Sequence, residues 1–453
     1  MIFKLQNPPP ANDIWRAVQK RLRRSFFIDS AQGSNNARWS YISLCEPSAV
    51  FKSKGGRVFI EQNGVKRSYL SGNPAAELKK LVSKRRRLQK GLPFPFTGGA
   101  VGYFSYDFAR HFEILPLRAR KDSEVFDSYF IFCDDFIVYD SKNDEAFIVA
   151  SRPSDYLPLV ARPEVKGPGA LRASKPSSNF SKKKFEAMVK RAKGYISSGD
   201  AYQVNLAQRY SCTFKGSVPA LYEKLIKLNP SPYSFYFNTP EISLVSCSPE
   251  LLFSKRGALA QTRPIAGTRP RGDSLKTDKK ISGELLLDPK ERAEHIMLVD
   301  LERNDMGRVC APKSIKVNER MVLEKYSHVI HIVSNIKGKL RKNKDAFDVL
   351  RALFPGGTIT GCPKIRSMEI IEELENLRRG PYCGSAGWLG YNGDAQLNIL
   401  IRTIILRPQR GRHGFKADFY AGAGIVADSV PSREYEETVH KARAMAHALG
   451  VTI

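Results

Sequence analysis

The sequence predicts an α+β fold in which antiparallel β-sheets pack face to face with helices outside. Three observations predict it. The 453 residues exceed what one hydrophobic core usually serves, so two domains or one large composite sheet are expected. Runs such as Val58 to Gln62 and Asp127 to Tyr139 are β-branched and aromatic, and they mark residues 1–150 as an antiparallel β-rich domain. Beyond residue 180, strand-like runs mix with capped amphipathic helices, so 181–453 reads as a second domain. Between the two, 151–180 is rich in Pro, Ser and Gly without periodicity and reads as a linker.

Four helices in the second part carry the argument. Ser181 is placed to cap a helix whose apolar face is Phe185, Met188, Val189, Ala192 and Ile196. Asp288 followed by Pro289 starts a helix toward Asn304. Pro363 opens one with Ile365, Met368, Ile371 and Leu374 on a face, and Pro431-Ser432 opens the last, with Tyr435, Val439, Ala442 and Met445 inward.

Composition narrows the function. The opening MIFKLQNPPP is too polar and Pro-rich for a secretory signal, and no apolar run reaches the roughly 18–20 residues of a membrane helix. Asp134 and Asp135 cut the best candidate, Ser128 to Tyr139. A cytoplasmic protein with no membrane partner is expected. Seven cysteines, never spaced CxxC, argue against a disulfide framework and a structural zinc. The net charge is +28. Its clusters (Lys84 to Arg87, Lys182 to Lys184, Lys337 to Lys344, Arg407 to Lys416) lie far apart without a DNA-reading motif. Nucleic acid is therefore not an expected partner; attraction for an anionic small molecule is.

Chemistry concentrates in two carboxylate pairs. Glu291 and Glu294, and Glu434 and Glu437, are each spaced i,i+3 at a helix start, which puts both members on one helical face. Two such faces meeting would suit Mg²⁺; solvated acidic first turns give the same spacing. The run Pro355 to Pro363 leads into a helix N-terminus whose amides could receive an anion. Gly422 to Ala427 matches GxGxxA but leaves too little chain for a dinucleotide unit, so a close backbone approach to a ligand or a plain turn remains. Glu250 and His331 are candidate proton-transfer groups, each weak alone. No nucleophile elbow occurs.

Taken together, these segments resemble the chorismate-utilising enzymes, which include anthranilate, aminodeoxychorismate, isochorismate and salicylate synthases. The resemblance is dense from Lys182 to Ala448. It rests on Arg263 to Thr268, Arg292 to Asp305, the PGGTITGCPK run, Ile401-Arg402-Thr403, Ala421 to Gly424 and Glu434 to Thr438. It implies the chorismate-binding fold, with 181–453 as its catalytic domain and 1–150 as the N-terminal domain seen in anthranilate synthase component I. It further implies that Glu294 and Glu437 hold Mg²⁺, assisted by Glu291 and Glu434, against the ring carboxylate of chorismate. Arg402, Lys441 and the amides around Ala423 and Gly424 would bind carboxylates, while Thr358 and Tyr382 line the pocket. Glu250 would be the general acid for loss of the C4 hydroxyl, and His331 would lie against the ring.

Within the family, Ser198 to Gln208, Phe354 to Gly357 and Ser105 to Arg110 resemble the aminodeoxychorismate synthases. Gln203 stands where water-adding members resemble one another in having lysine; glutamine cannot act as that base, so ammonia is the expected nucleophile. Ala266 stands where many aminodeoxychorismate synthases have lysine, as it does in anthranilate synthases. Asn229 to Tyr233 resembles the tryptophan-binding segment of anthranilate synthases, whereas Cys45 to Ser48 has Pro where their feedback-sensitive pattern has Ser. The expected reaction is replacement of the chorismate C4 hydroxyl by an amino group, with anthranilate formation as the alternative. The resemblance implies a glutamine amidotransferase subunit as the source of ammonia, in a heterodimer.

Overall fold

The apolar run from Ser128 to Tyr139 forms two strands, Ser128–Cys133 and Phe136–Asp140. Asp134 and Asp135 break it, and the two strands enter different sheets. In the computed structural model the described residues are all but 31–37, 86–91, 164–168, 327, 328, 410 and 412. Arg86, Arg87, Arg410 and Arg412 of the basic clusters, and part of the 151–180 segment, lie outside them.

A 13-stranded and a 12-stranded sheet, built from antiparallel neighbours, hold the chain. Both draw on both ends of the sequence. Ser25–Asp29 pairs with Tyr233–Asn238, with Phe27 opposite Tyr236. Gly99–Phe104 pairs with Ser385–Gly390, with Gly102 opposite Gly387. One apolar core joins Phe26, Tyr41 and Phe237 of the larger sheet to Val101, Phe130 and Leu397 of the smaller, so the sheets face each other. A second core covers the outer face of the larger sheet, where Trp15, Tyr222 and Met445 of three helices meet Phe27, Tyr236 and Ile404. The helices therefore lie outside, as the α+β reading requires.

Local chemistry sets the helix starts. Ser181 accepts the Lys184 amide and opens Lys182–Ser197, which buries Phe185, Met188, Val189 and Ala192. Asp288 accepts the amides of Lys290 and Glu291 and opens Pro289–Gly307. Lys364–Leu374 buries Met368, Ile371 and Leu374, but Ile365 is exposed. Pro431–Leu449 buries Ala442 and Met445 as expected, while Tyr435 and Val439 are only half-buried. Glu434 and Thr438 take the inward positions instead. Among the described residues no helix is long and apolar enough to cross a membrane, and all seven cysteines are free thiols.

Candidate active site

The floor of the site is a pair of strands in the larger sheet. Gln203–Lys215 runs beside Phe415–Ile425, with Asn205 opposite Gly424 and Ala207 opposite Gly422. Gly422 and Gly424 thus lie inside a strand and open no turn. They are needed because their neighbours fill the space a side chain would take. A Cβ on Gly424 would stand 2.5 Å from Gln203 Nε2, and one on Gly422 would stand 2.5 Å from Asn205 Oδ1 and 2.9 Å from the Tyr382 hydroxyl. Ala423, between them, turns its buried methyl into the core beneath the flanking helices.

At one end the site is dry. Glu250 follows the strand Ser243–Ser248 and is 4% exposed. Its Oε1 accepts the Ile265 amide at 3.4 Å. Burial pushes its carboxyl up to about 8, against the pull of the Thr358 hydroxyl and Arg402 and with the push of Glu302. It is therefore mostly protonated at neutral pH. His331 is 2% exposed, with Nδ1 2.9 Å from the Thr268 hydroxyl and Nε2 without a partner. Burial lowers it to about 3, with Arg402 adding to the effect, so the imidazole is neutral. Arg402 has left-handed backbone, φ 50°. Its guanidinium donates to Asn229 Oδ1 at 3.4 Å and pairs with no carboxylate among the described residues. Ala266 is buried on Ile265–Pro270 opposite Ile332, leaving that wall apolar.

At the other end carboxylates gather. Glu294 accepts Gln203 Nε2 at 2.7 Å. Burial raises its pKa, Glu291 and Glu437 raise it further, and Gln203 and Lys441 oppose the rise. Glu434 is raised by burial and by Glu437. The two acidic helix starts thus converge. Each carboxylate has a partner: Glu291 pairs with Arg269 at 2.8 Å, and Glu437 with Lys441 at 2.6 Å. Lys441 also donates to the Gly422 carbonyl at 3.1 Å. Among the described residues no three acidic, histidine or cysteine side chains stand close enough together to hold a metal ion as they are. The donor set nevertheless fits a hard divalent cation chemically: its oxygens repel one another, and a cation would relieve that repulsion.

Thr358 lies in a 3-10 turn, Gly357–Ile359. Within the run Pro355 to Pro363 the Gly357 amide is taken by Glu302 at 3.3 Å, while the helix that follows opens at Lys364 with no side-chain cap. Gly361, at φ 137°, lets the loop approach the Gln203 carbonyl.

Two groups escaped the sequence reading. Arg379, 1% exposed, clasps Glu375 with Nε and Nη2 at 3.0 and 2.6 Å. It also donates to the carbonyls of Ile359 at 2.8 Å and Asn205 at 2.7 Å, and lies over the ring of Tyr382. Tyr382 itself stacks on Tyr420, ring centres 4.7 Å apart. The i,i+4 spacing of Glu375 and Arg379 was the only signal, and it does not reveal burial. Asn205 is the second, with a side chain that donates to the Thr358 carbonyl at 3.4 Å.

Among the described residues, the Asn229 to Tyr233 segment touches the site only through Asn229, which accepts from Arg402. Pro232 and Tyr233 line a separate cavity of about 690 Å³ with Asp29, Ser30, Arg256 and Trp388. Cys45 to Ser48 do not line it, although two N-terminal strands reach it, one through Ile28 and Asp29 and the other through Trp39 and Tyr41.

Facing sheets with a buried acid at one end of a glycine-floored site and clustered carboxylates at the other define an enzyme for a small, charged substrate. The chain belongs to the chorismate binding enzyme family, which it matches over residues 25–447. It is 44% identical over 441 residues to aminodeoxychorismate synthase component 1 of Bacillus subtilis, covering 93% of this chain and 91% of that one. It is 37% identical over 461 residues to anthranilate synthase component 1 of Aquifex aeolicus, covering 97% and 92%. The crystal structure of anthranilate synthase component I from Streptococcus pneumoniae superposes with a TM-score of 0.79 at 32% identity, covering 92% of this chain and 94% of that one.

Proposed function

We propose that this enzyme replaces the C4 hydroxyl of chorismate with an amino group, giving 4-amino-4-deoxychorismate. The observation that carries the reading is Glu250, a buried carboxyl held protonated in a site whose strand-borne polar group is Gln203, which cannot act as a base. A hydroxyl leaves as water only if it receives a proton. Glu250 supplies it as the C4–O bond breaks and the C–N bond forms. The new ammonium then sheds one proton, which restores Glu250. Neutral His331 lies against the ring without adding charge. Arg402 and Lys441 bind the substrate carboxylates, and Thr358 and Tyr382 wall the pocket. Glu294 and Glu437, with Glu291 and Glu434, hold Mg²⁺, which when bound supplies positive charge against the ring carboxylate. Ammonia comes from a glutamine amidotransferase partner, in keeping with the "component 1" names of the relatives, and the reaction takes place in the cytoplasm.

The likeness to the Bacillus subtilis protein supports the C4 product. One observation favours a second reading: Ala266 places no amine against the ring, as in the resemblance to anthranilate synthases. Product analysis decides. Chorismate, Mg²⁺ and ammonium chloride should give a product that an added lyase converts to p-aminobenzoate, identified by mass spectrometry. Fluorescent anthranilate formed with pyruvate and without a lyase would overturn the C4 reading.

A further inference from the structure

Gln203 and Asn205 are two apart on one strand, so their side chains rise from the same face. Each amide is oriented by what it donates to. Gln203 Nε2 donates to the Glu294 carboxylate at 2.7 Å, and Asn205 Nδ2 donates to the Thr358 carbonyl at 3.4 Å. The Thr358 carbonyl can only accept, so Asn205 presents its NH₂ group there and turns its amide oxygen away; Gln203 likewise directs Nε2 at Glu294 and Oε1 away from it. Gln203 Oε1 and Asn205 Oδ1 are buried and have no hydrogen-bond partner. The backbone at 205 is clamped as well: its amide donates to Thr360 at 2.8 Å and its carbonyl accepts Arg379 at 2.7 Å. Two unsatisfied acceptors thus lie on one face of the strand, beside Gly424 and Gly422.

Buried polar groups are rarely left unpaired without cause. A ligand satisfies these two only by donating hydrogen bonds. Chorismate, on the reading above, is rich in acceptors: two carboxylates and an enol ether, which call for cations and N–H groups. Its one donor, the C4 hydroxyl, is the group assigned to Glu250. Ammonia is the remaining reactant, with three N–H bonds and one lone pair. Two N–H bonds given to amide oxygens leave the lone pair to attack, and neutral amides take no proton from it. The same oxygens stabilise the positive charge that grows on nitrogen.

We propose that Asn205 is a specificity-determining residue which, with Gln203, receives the N–H bonds of incoming ammonia. This rests on the amination reading. Its test is steady-state kinetics of the full chain with Mg²⁺, varying free ammonia and chorismate separately. Asn205→Val keeps the size of the side chain and removes the acceptor. It should raise the KM for ammonia at least tenfold and move the KM for chorismate less than twofold. Asn205→Ser, which restores an oxygen, should recover part of the loss. Equilibrium dialysis of chorismate without ammonia checks that the variant site is intact; should Asn205→Val fail to bind chorismate, the Asn205→Ser variant carries the same test through its ammonia KM. Ammonia dependence equal to wild type, or a parallel rise in both KM values, overturns the assignment of Asn205 alone. A wild-type enzyme that forms no aminated product from chorismate and ammonia overturns the amination reading, and this assignment with it.

Discussion

The two ends of the site use the same residue type under opposite conditions. Glu250 sits in a dry wall, where burial raises it to about 8. Glu437 lies at the rim, its side chain 47% exposed and paired with Lys441. Between them Glu294 is raised by burial yet opposed by Gln203 and Lys441. On the proposed reading, the carboxyl that gives a proton is kept from water, and burial outweighs the pull of Arg402. The rim carboxyl of Glu437 has both water and a cation beside it. Environment, more than identity, assigns the work.

The contrast can be broken at its dry end first. Glu250→Gln removes the proton and should lower kcat by roughly 10²–10⁴-fold, the usual worth of a positioned acid, with chorismate affinity kept. Stopped-flow or end-point product assays check it, and a mild loss would place the acid elsewhere. The rim comes next. Glu437→Gln should raise the Mg²⁺ needed for half-maximal rate by on the order of 100-fold, a loss like those seen when metal-site side chains are removed. Unchanged Mg²⁺ dependence would remove that glutamate from the site. The pH profile sharpens the comparison. On the proposed reading Glu250 acts protonated, so kcat/KM should fall as pH rises through about 8, and in wild type that limb should be insensitive to Mg²⁺ concentration. A limb that follows Mg²⁺ would shift its origin to the rim. The smallest effect concerns Asp288, which caps the helix bearing Glu291 and Glu294 and pairs with Arg269. Asp288→Ala should cost about 1 kcal/mol of stability, read from denaturant unfolding, together with a modest weakening of Mg²⁺ dependence.

The rim was far more legible in the sequence than the wall. Helix starts announce themselves locally: Ser181, Asp288 before Pro289 and Pro431 each mark a first turn, and i,i+3 spacing fixes a shared face. The break at Asp134 and Asp135 was equally local. Burial is not local. Nothing near Glu250 reveals that Ile265, Thr358 and Arg402 will close around it, and the Arg379–Glu375 pair has the spacing of an ordinary solvated helix pair. The glycines at 422 and 424 read locally as a close approach to a ligand or a plain turn, because their need arises from Gln203 and Asn205, some 200 residues away. The cavity lined by Pro232 and Tyr233 was hidden for the same reason: its closure by Asp29 and Ser30 depends on strand pairing across the whole chain.

That pairing has a consequence for how the protein is made. Ser25–Asp29 and Gly99–Phe104 can pair early on one edge, with Trp39–Ser43 and Ser128–Cys133, but their other edges wait for Tyr233–Asn238 and Ser385–Gly390. At about 5–20 residues per second, translation leaves these aromatic edges unmatched for on the order of ten seconds or more. A nascent chain in that interval presents sticky, half-built sheets, and cells making this enzyme in quantity should depend on holding chaperones to keep early strands apart until the late ones arrive.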